Sequence, residues 1–328
     1  MPSWQSHALN LILRIGSRKP AAKREIADFR RLAARADRWF ARAPKRVAIR
    51  DERLGGVPVR RIRPVSGPVS GTLFLIHGGG WCIETPNLHT GLGARLALAL
   101  GLEALLPAYR LAPEHPFPAA SEDCRAAWRS LVDSGVDPGC VVLAGDSAGG
   151  ALALGLLGQL RDAGDAPPRC ALLLSPATDL TTIGRSVVDN ARSDAMFGIP
   201  ALLLFRHWYL GETNPTDPLA SPYWGDFSGF PPLFFQVSGA EMLLDNSRYA
   251  AAKAIRQGVQ ATLSVWPGMP HDFTLFGFLP EAQRGVREQA DFVRSVGQES
   301  CCSGAVPPPP FGPSTARPAA QPGDEAPG

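Results

Sequence analysis

Short apolar runs alternate with amphipathic stretches along the central part of the chain. Six of these runs have the length of buried strands: 72–76, 103–106, 141–144, 171–174, 233–237 and 262–265. Apolar residues recur at helical spacing between them, as in 89–100, 119–134, 149–163 and 246–257. Strands that alternate with helices imply βαβ units. The pattern therefore predicts an α/β fold with a mostly parallel central sheet flanked by helices.

The N-terminal segment has a helical pattern instead. Between residues 20 and 41, Ile26 and Phe29 belong to an apolar series at helical spacing, with arginines on the opposite face. From residue 46 onward the pattern changes to the alternation typical of antiparallel edge strands. We expect residues 1–45 to form a helical cap segment and residues 46–298 to form the main domain.

Residues 180–225 interrupt the alternation of strands and helices. The segment concentrates aromatic side chains, among them Trp208 and Tyr209, and shows no strand pattern. An aromatic stripe at helical spacing is most often core packing. Because this stripe interrupts an α/β alternation, we expect an inserted lid helix that adds to the cap.

The composition is that of an ordinary globular protein. The 328 residues are 45% hydrophobic and 19% charged, which excludes a mostly disordered chain. Residues 299–328, with four consecutive prolines, cannot build a core and predict a disordered Pro-rich tail. No run approaches the ~20 apolar residues of a membrane span. The N-terminus lacks the features of a signal peptide, so a cytoplasmic location is expected.

Charge is distributed unevenly along the chain. Residues 1–63 carry 17 Lys and Arg against 5 Asp and Glu, whereas the formal net charge of the whole chain is +3. These basic residues alternate with Ala, Leu, Phe and Trp, which favours a solvated helix face over binding to nucleic acid or membrane. The six cysteines show no metal-site spacing. We expect neither a metal nor a cofactor.

The strongest chemical signal is the run Gly145–Gly150, with the sequence Gly-Asp-Ser-Ala-Gly-Gly. It follows an apolar strand candidate and opens a predicted helix. Small residues at 145 and 149 permit a sharp strand-to-helix turn whose central residue is strained and exposed. Such a turn is a nucleophile elbow, and its central residue is Ser147. A phosphate-binding loop is excluded because neither glycine motif for phosphate is present.

A glycine-rich loop, His77-Gly78-Gly79-Gly80-Trp81, directly follows the strand candidate 72–76. Glycines let backbone N–H groups approach a ligand oxygen without obstruction by side chains. A tetrahedral intermediate needs such donors, and the loss of one costs about 3–4 kcal/mol in the barrier. The loop is therefore a candidate oxyanion hole.

A histidine and an acid are needed to activate a serine. His271 is the histidine beyond residue 147 that sits in a loop just after a strand, whereas His207 lies within the aromatic segment. Two acids, Glu241 and Asp245, follow the strand candidate 233–237. Glu241 is the favoured partner because it lies in the turn directly after the strand, and either acid type can serve in a triad. The chain order Ser, acid, His is that of an α/β-hydrolase.

With these motifs the sequence resembles the hormone-sensitive-lipase-like group of α/β-hydrolases, the bacterial family IV carboxylesterases. The resemblance covers about residues 45–295. It rests on His77–Trp81, Tyr109–Ala120, Gly145–Gly150, Ser175-Pro176 and His271-Asp272-Phe273. It implies that the backbone N–H groups of Gly79, Gly80 and Ala148 form the oxyanion hole. The family's commonest acid is Asp, and the matching position here is Glu241.

Together these features predict a serine carboxylic-ester hydrolase for short-chain acyl esters, with acetyl esters or lactones included, through an acyl-enzyme. Trp81 and Trp208 are candidate substrate contacts. The bulky cap candidates favour a compact acyl pocket; they are Trp4, Trp39, Phe40, Met196, Phe205, Trp208 and Tyr209. The partner is a small-molecule ester, and a homodimer is possible. The alternatives are an amide or acetyl hydrolase, and a ligand-binding protein without catalysis on the same scaffold.

Overall fold

The computed structural model describes residues 2–17, 25–41 and 44–297, which are built around one eight-stranded sheet. Its spatial order is β1-β2-β4-β3-β5-β6-β7-β8, and only the pairs β1–β2 and β2–β4 are antiparallel. The strands are β1 (Val47–Leu54), β2 (Val57–Pro64), β3 (Thr72–Ile76), β4 (Glu103–Pro107), β5 (Val141–Asp146), β6 (Cys170–Leu174), β7 (Leu233–Ser238) and β8 (Ala261–Trp266). The predicted mostly parallel sheet is confirmed.

Burial explains why these runs form strands. Strands β3 to β7 are buried along their whole length, as expected where helices cover both faces of a parallel sheet. Strands β1 and β8 lie at the two edges and keep exposed positions. Neighbouring residues of β3 enter different hydrophobic layers: Phe74 and Ile76 lie on one side of the sheet, Leu73 and Leu75 on the other.

Helices cover both faces of the sheet. Helices α4, α5 and α8 pack in one layer, and α3 and α9 pack in the other. No helix in the described part of the chain is long and apolar enough to cross a membrane. The helices are α1 (Trp4–Ser17), α2 (Ile26–Phe40), α3 (Pro86–Leu100), α4 (Ala119–Asp133), α5 (Ala148–Ala163), α6 (Ser186–Asp189), α7 (Ile199–Leu210), α8 (Leu244–Arg256) and α9 (Pro280–Ser295).

Two buried carboxylates hold the N-terminal helices on the body. Glu281 of α9 accepts hydrogen bonds from the Ser3 backbone N–H at 2.6 Å and from the Ser3 and Ser6 hydroxyls, each at 2.9 Å. Asp37 of α2 accepts from the backbone N–H groups of Asn87 and Leu88 at the start of α3. The N-terminal segment is therefore fixed by specific polar contacts as well as by apolar packing.

The N-terminal segment also contacts the insertion at 180–225. That insertion contains α6 and α7, and Phe29 of α2 packs edge-on against Phe205 and Trp208 of α7, with ring centroids 5.1 and 5.8 Å apart. The helix predicted in 20–41 is observed as α2, while residues 18–24 and the predicted tail at 299–328 lie outside the described residues. Helices α1, α2 and α7 line a common cavity, which also borders the loops after β3, β5 and β8.

Substitution of Glu281 by Gln should loosen α1. Burial opposes ionisation of Glu281, but the hydrogen bonds from Ser3 and Ser6 outweigh it and hold its pKa below the ordinary value. Loss of these charge-assisted bonds should reduce the free energy of unfolding by about 2 kcal/mol at neutral pH. Because the folded-state pKa is lowered, this stabilisation is present above the unfolded-state pKa and is lost as pH falls through the folded-state pKa.

Thermal unfolding at several pH values, with amide exchange of α1, would measure the effect. The exposed Glu212→Gln variant is the control and should match the wild type. Equal stability of Glu281→Gln and wild type at neutral pH would contradict the anchoring role.

Candidate active site

Ser147 stands at the junction of β5 and α5 in a strained backbone conformation, with φ 51° and ψ −117°. The turn is possible because two flanking glycines lack side chains. A Cβ on Gly145 would collide with the Gly149 carbonyl, and a Cβ on Gly149 would collide with the Ile76 carbonyl at the end of β3. The Ser147 N–H donates to the Leu174 carbonyl at 2.8 Å. Ser147 is thereby fixed at the carboxyl edge of the sheet, facing a cavity.

The glycine-rich loop follows β3 and lines the same cavity through Gly79, Gly80 and Trp81. Gly79 and Gly80 have φ values of 112° and 59°, which favour glycine. The Gly78 N–H is 3.3 Å from His89 Nε2, so it is engaged inside the protein. Within the described ranges, the N–H groups of Gly79 and Gly80 donate to no protein acceptor, and Ala148 begins α5, where an N–H has no partner in its own helix.

His271 and Glu241 are in direct contact. His271 Nδ1 lies 3.1 Å from Glu241 Oε1, and both side chains are almost completely buried. Glu241 also accepts hydrogen bonds from the Ser175 hydroxyl at 2.8 Å and from the Ser238 N–H at 3.2 Å. Asp245, the other acid considered from the sequence, accepts from the Ser186 N–H instead and does not contact His271. The geometry therefore places Glu241 at the imidazole.

Asp272 is a site residue that the sequence did not indicate. Its Oδ2 atom lies 2.9 Å from His271 Nε2, the ring nitrogen that would accept the proton of a nucleophilic serine. The backbone of Asp272 is left-handed, with φ 49°. In the described chain, His271 Nε2 has no hydrogen-bond partner, Ser147 included. Ser147 and His271 thus line one cavity without a direct hydrogen bond, and Asp272 occupies the space beside Nε2.

These carboxylates change the titration of His271. Burial lowers the pKa of His271, but the negative charges of Asp272 and Glu241 outweigh burial and hold that pKa well above its ordinary value. Burial also raises the pKa of Asp272 to about 7, against the opposing effect of His271. The imidazole is therefore surrounded by anions that favour its protonated form.

The cavity in front of these groups has a volume of about 980 Å³ and a mainly apolar lining. Its walls come from α1, α2 and α7 as well as from the loops after β3, β5 and β8. Two aromatic rings border the candidate residues: Phe197, whose centroid is 5.1 Å from that of His271, and Phe205, which packs against Gly80. The candidate polar residues are therefore buried at one side of the cavity, and most of the remaining lining is apolar.

The predicted substrate contacts occupy different positions. Trp81 lines the cavity and stacks on Tyr209 at 4.3 Å, which is buried behind it. Trp208 packs on Phe29 and Phe205 and is absent from the cavity wall. The other cap candidates divide: Trp39, Phe40, Met196 and Phe205 line the cavity, whereas Trp4 is exposed.

Among the residues that the structure describes, no group of three His, Cys, Asp or Glu side chains is arranged to hold a metal ion.

Comparison with known proteins identifies the family. Residues 73–275 match the model of a family described as alpha/beta hydrolase fold. The chain is 39% identical to an acetyl-hydrolase of Streptomyces hygroscopicus over 229 residues, 70% of this chain and 77% of that protein. It is 33% identical to an esterase of Acinetobacter venetianus over 261 residues, 79% of this chain and 86% of that protein.

Solved structures agree with these relatives. The crystal structure of an esterase from the bacterial hormone-sensitive lipase family superposes with a TM-score of 0.85 at 34% identity, covering 90% of this chain and 100% of that one. Of these relatives, one is named an acetyl-hydrolase and two are named esterases. The chain therefore belongs to the α/β-hydrolase family, in its hormone-sensitive-lipase-like group of bacterial family IV carboxylesterases, and it is a carboxylesterase-type hydrolase.

Proposed function

We propose that the protein hydrolyses short-chain acyl esters through an acyl-enzyme on Ser147, with His271 as the base and Glu241 as its orienting acid. The observation that carries this proposal is the strained Ser147 facing the same cavity as His271, whose other ring nitrogen contacts Glu241. Neither the nucleophile nor the base needs a metal in this reaction.

The proton inventory supports these roles. Glu241 accepts the Nδ1–H of His271, so Nε2 of the neutral imidazole carries the lone pair that accepts a proton. As Ser147 Oγ attacks the ester carbonyl, its proton passes to Nε2 and returns later to the leaving alcohol. Water then attacks the acyl-enzyme by the same route. Asp272 lies beside Nε2 and stabilises the imidazolium that forms.

The negative charge that develops on the carbonyl oxygen needs donors. The unengaged N–H groups of Gly79 and Gly80, with that of Ala148 at the start of α5, supply them in this proposal. The positive end of the α5 dipole lies at the same place and favours an anion. Gly78 is not required, because its N–H points at the buried side chains of His89 and Asp146.

The aromatic rings support a preference for a short acyl chain. Phe205 packs on the oxyanion loop and Phe197 packs on His271, so both rings limit the space beside the reacting carbon. The part of the cavity that α1 and α2 line then receives the alcohol portion. Two relatives are named acetyl-hydrolases, which agrees with a short acyl group.

Replacement of Ser147 by Ala should reduce kcat for 4-nitrophenyl butyrate by about 10⁴-fold or more, since it removes the nucleophile. His271→Ala should give a loss of similar order because triad members act as a unit. Circular dichroism and thermal unfolding would verify that both variants fold. Ser134→Ala, at the end of α4 and outside the cavity, is the matched control. If Ser147→Ala kept near-wild-type turnover, the nucleophile would be another residue.

Removal of the Asp272 charge should move the pH–rate profile. The base must be neutral, so kcat/KM rises as pH passes through the pKa of His271, which two carboxylates raise. Asp272→Asn removes one anion and should lower the midpoint of this rise by on the order of one pH unit. The exposed Asp162→Asn is the control. An unchanged midpoint in Asp272→Asn would contradict the proposed electrostatic contact.

The acyl preference can be read from 4-nitrophenyl esters ranging from acetate to palmitate. We expect kcat/KM to peak near butyrate or hexanoate and to fall steeply by laurate. Each buried CH₂ adds only about 0.8 kcal/mol, and a narrow site soon clashes. Phe205→Ala should extend the optimum to longer chains, whereas Leu203→Ala, exposed on the same helix, should not. A maximum at palmitate would show that the part of the cavity lined by α1 and α2 receives the acyl chain.

A further inference from the structure

Four buried polar side chains lie behind the oxyanion loop, and no step of the proposed reaction uses them. They are His77 of the loop itself, His89 of α3, Tyr109 after β4 and Asp146 at the end of β5. Buried charged groups are costly to desolvate unless they are paired and hydrogen-bonded. Their arrangement therefore calls for a structural or chemical account.

His89 and Asp146 form a buried ion pair. His89 Nε2 lies 3.0 Å from Asp146 Oδ2, and the two side chains are 4% and 2% exposed. The other ring nitrogen, Nδ1, lies 2.8 Å from the Thr85 carbonyl oxygen. Because both nitrogens face oxygen acceptors, the ring satisfies both only as an imidazolium, which donates on each side.

The charge balance agrees with this protonation state. Burial lowers the pKa of His89, but Asp146 outweighs burial and raises that pKa to about 8. Burial likewise raises the pKa of Asp146, but His89 outweighs it and lowers the pKa of that carboxyl. Both partners are thus held in their charged forms at neutral pH.

This pair is in contact with the backbone of the oxyanion loop. The Gly78 N–H points at the pair, 3.3 Å from His89 Nε2. Because the imidazolium Nε2–H donates to Asp146 and cannot accept, this N–H acts on the pair through the Asp146 carboxylate, whose pKa it lowers. A Cβ on Gly78 would collide with Asp146 Oδ2, so the loop rests directly on the carboxylate. The residue after Gly78 is the first proposed oxyanion donor, and the residue after Asp146 is Ser147.

The opposite side of the loop is fixed as well. His77 Nδ1 lies 2.8 Å from the Gly78 carbonyl, and the Tyr109 hydroxyl donates to the His77 carbonyl at 2.8 Å. The His77 ring stacks on Tyr109 with centroids 4.1 Å apart and planes 8° apart. The peptide groups on both sides of Gly78 are therefore held before the loop turns into the cavity.

We propose that the His89–Asp146 ion pair is a positioning device for catalysis: it fixes Gly78 and so sets the distance between the oxyanion donors of Gly79 and Gly80 and the nucleophile. One ion pair thereby links the loop after β3 to the elbow after β5. This inference rests on the proposed function of Ser147 and of the oxyanion loop. Both residues line the cavity beside Ser147, but no step of the proposed reaction uses either of them, so both act through the backbone.

The experiment compares His89→Gln and Asp146→Asn with wild type, using the substrate 4-nitrophenyl butyrate and the inhibitor butane-1-boronic acid. This inhibitor forms a tetrahedral adduct with a nucleophilic serine. We expect kcat to fall roughly 10²-fold, the size of the effect of losing one oxyanion donor, with KM nearly unchanged. The inhibition constant of the boronic acid should rise by the same factor, because the boronate oxygen uses the same donors. Active-site titration with a 4-nitrophenyl phosphonate corrects for inactive protein.

The matched control is another ion pair within the same fold. Arg61 of β2 pairs with Glu103 of β4, away from the cavity, and both side chains are largely buried. Glu103→Gln should lower Tm as the test variants do and leave kcat and the boronic acid constant at wild-type values. A parallel loss of kcat in Glu103→Gln would reduce the effect to general destabilisation and overturn the inference.

Tyr109→Phe tests the positioning of the loop if His89→Gln and Asp146→Asn do not fold. It removes one hydrogen bond to the loop and should give a smaller loss, with kcat and boronic acid affinity still falling by equal factors. Wild-type values of both quantities in whichever variants fold would overturn the positioning role. Full activity of Ser147→Ala would instead overturn the proposed function, so the two failures are distinguishable.

Discussion

The close approach of two chain segments at the carboxyl edge of the sheet determines the rest of the site. The turn from β5 into α5 passes so near to the end of β3 that a Cβ on Gly149 would collide with the backbone carbonyls of Ile76 and His77. Strain at Ser147 follows from this approach, since a sharp strand-to-helix turn leaves no relaxed conformation for its central residue. The contact that strains Ser147, the proposed nucleophile, also brings the glycine-rich loop after β3 beside it.

The cap depends on the same body through a few polar contacts. Glu281 holds α1 and Asp37 holds α2, both by carboxylates that accept backbone or hydroxyl hydrogen bonds. Phe29 then joins α2 to α7, whose Phe205 packs on the oxyanion loop. A change far from Ser147 can therefore alter the shape of the cavity roof without touching the reacting groups.

The parts of this fold that depend on local sequence pattern can be predicted from the sequence. The central strands were predicted within two residues at either end, because burial on both faces demands short continuous apolar runs. The amphipathic helix α9 was not predicted, although Ala282, Val286 and Ala290 recur at helical spacing among its many charged residues. The buried face of α9 is narrow, so its apolar periodicity is weak compared with the polar composition of the helix.

Contacts between segments that are distant in the chain could not be predicted from the sequence. Ser147, His271 and Glu241 could be selected because motif and chain order limit the choices. The position of Asp272 at His271 Nε2 depends on a left-handed backbone that nothing local requires. The His89–Asp146 pair joins residues 57 positions apart, and neither residue type nor spacing indicates it. Only the sheet topology, with β3 beside β5, brings these groups together.

The distribution of buried charge separates the two halves of the proposed transition state. Glu241 and Asp272 lie around His271, where a positive charge forms as the imidazole takes the proton. The opposite charge forms on the carbonyl oxygen, and a bare carboxylate nearby would oppose it. Asp146, the carboxylate next to Ser147, is paired with the positive charge of His89. The oxyanion then faces backbone N–H groups and the positive end of α5, which are preorganised and carry no counter-charge of their own.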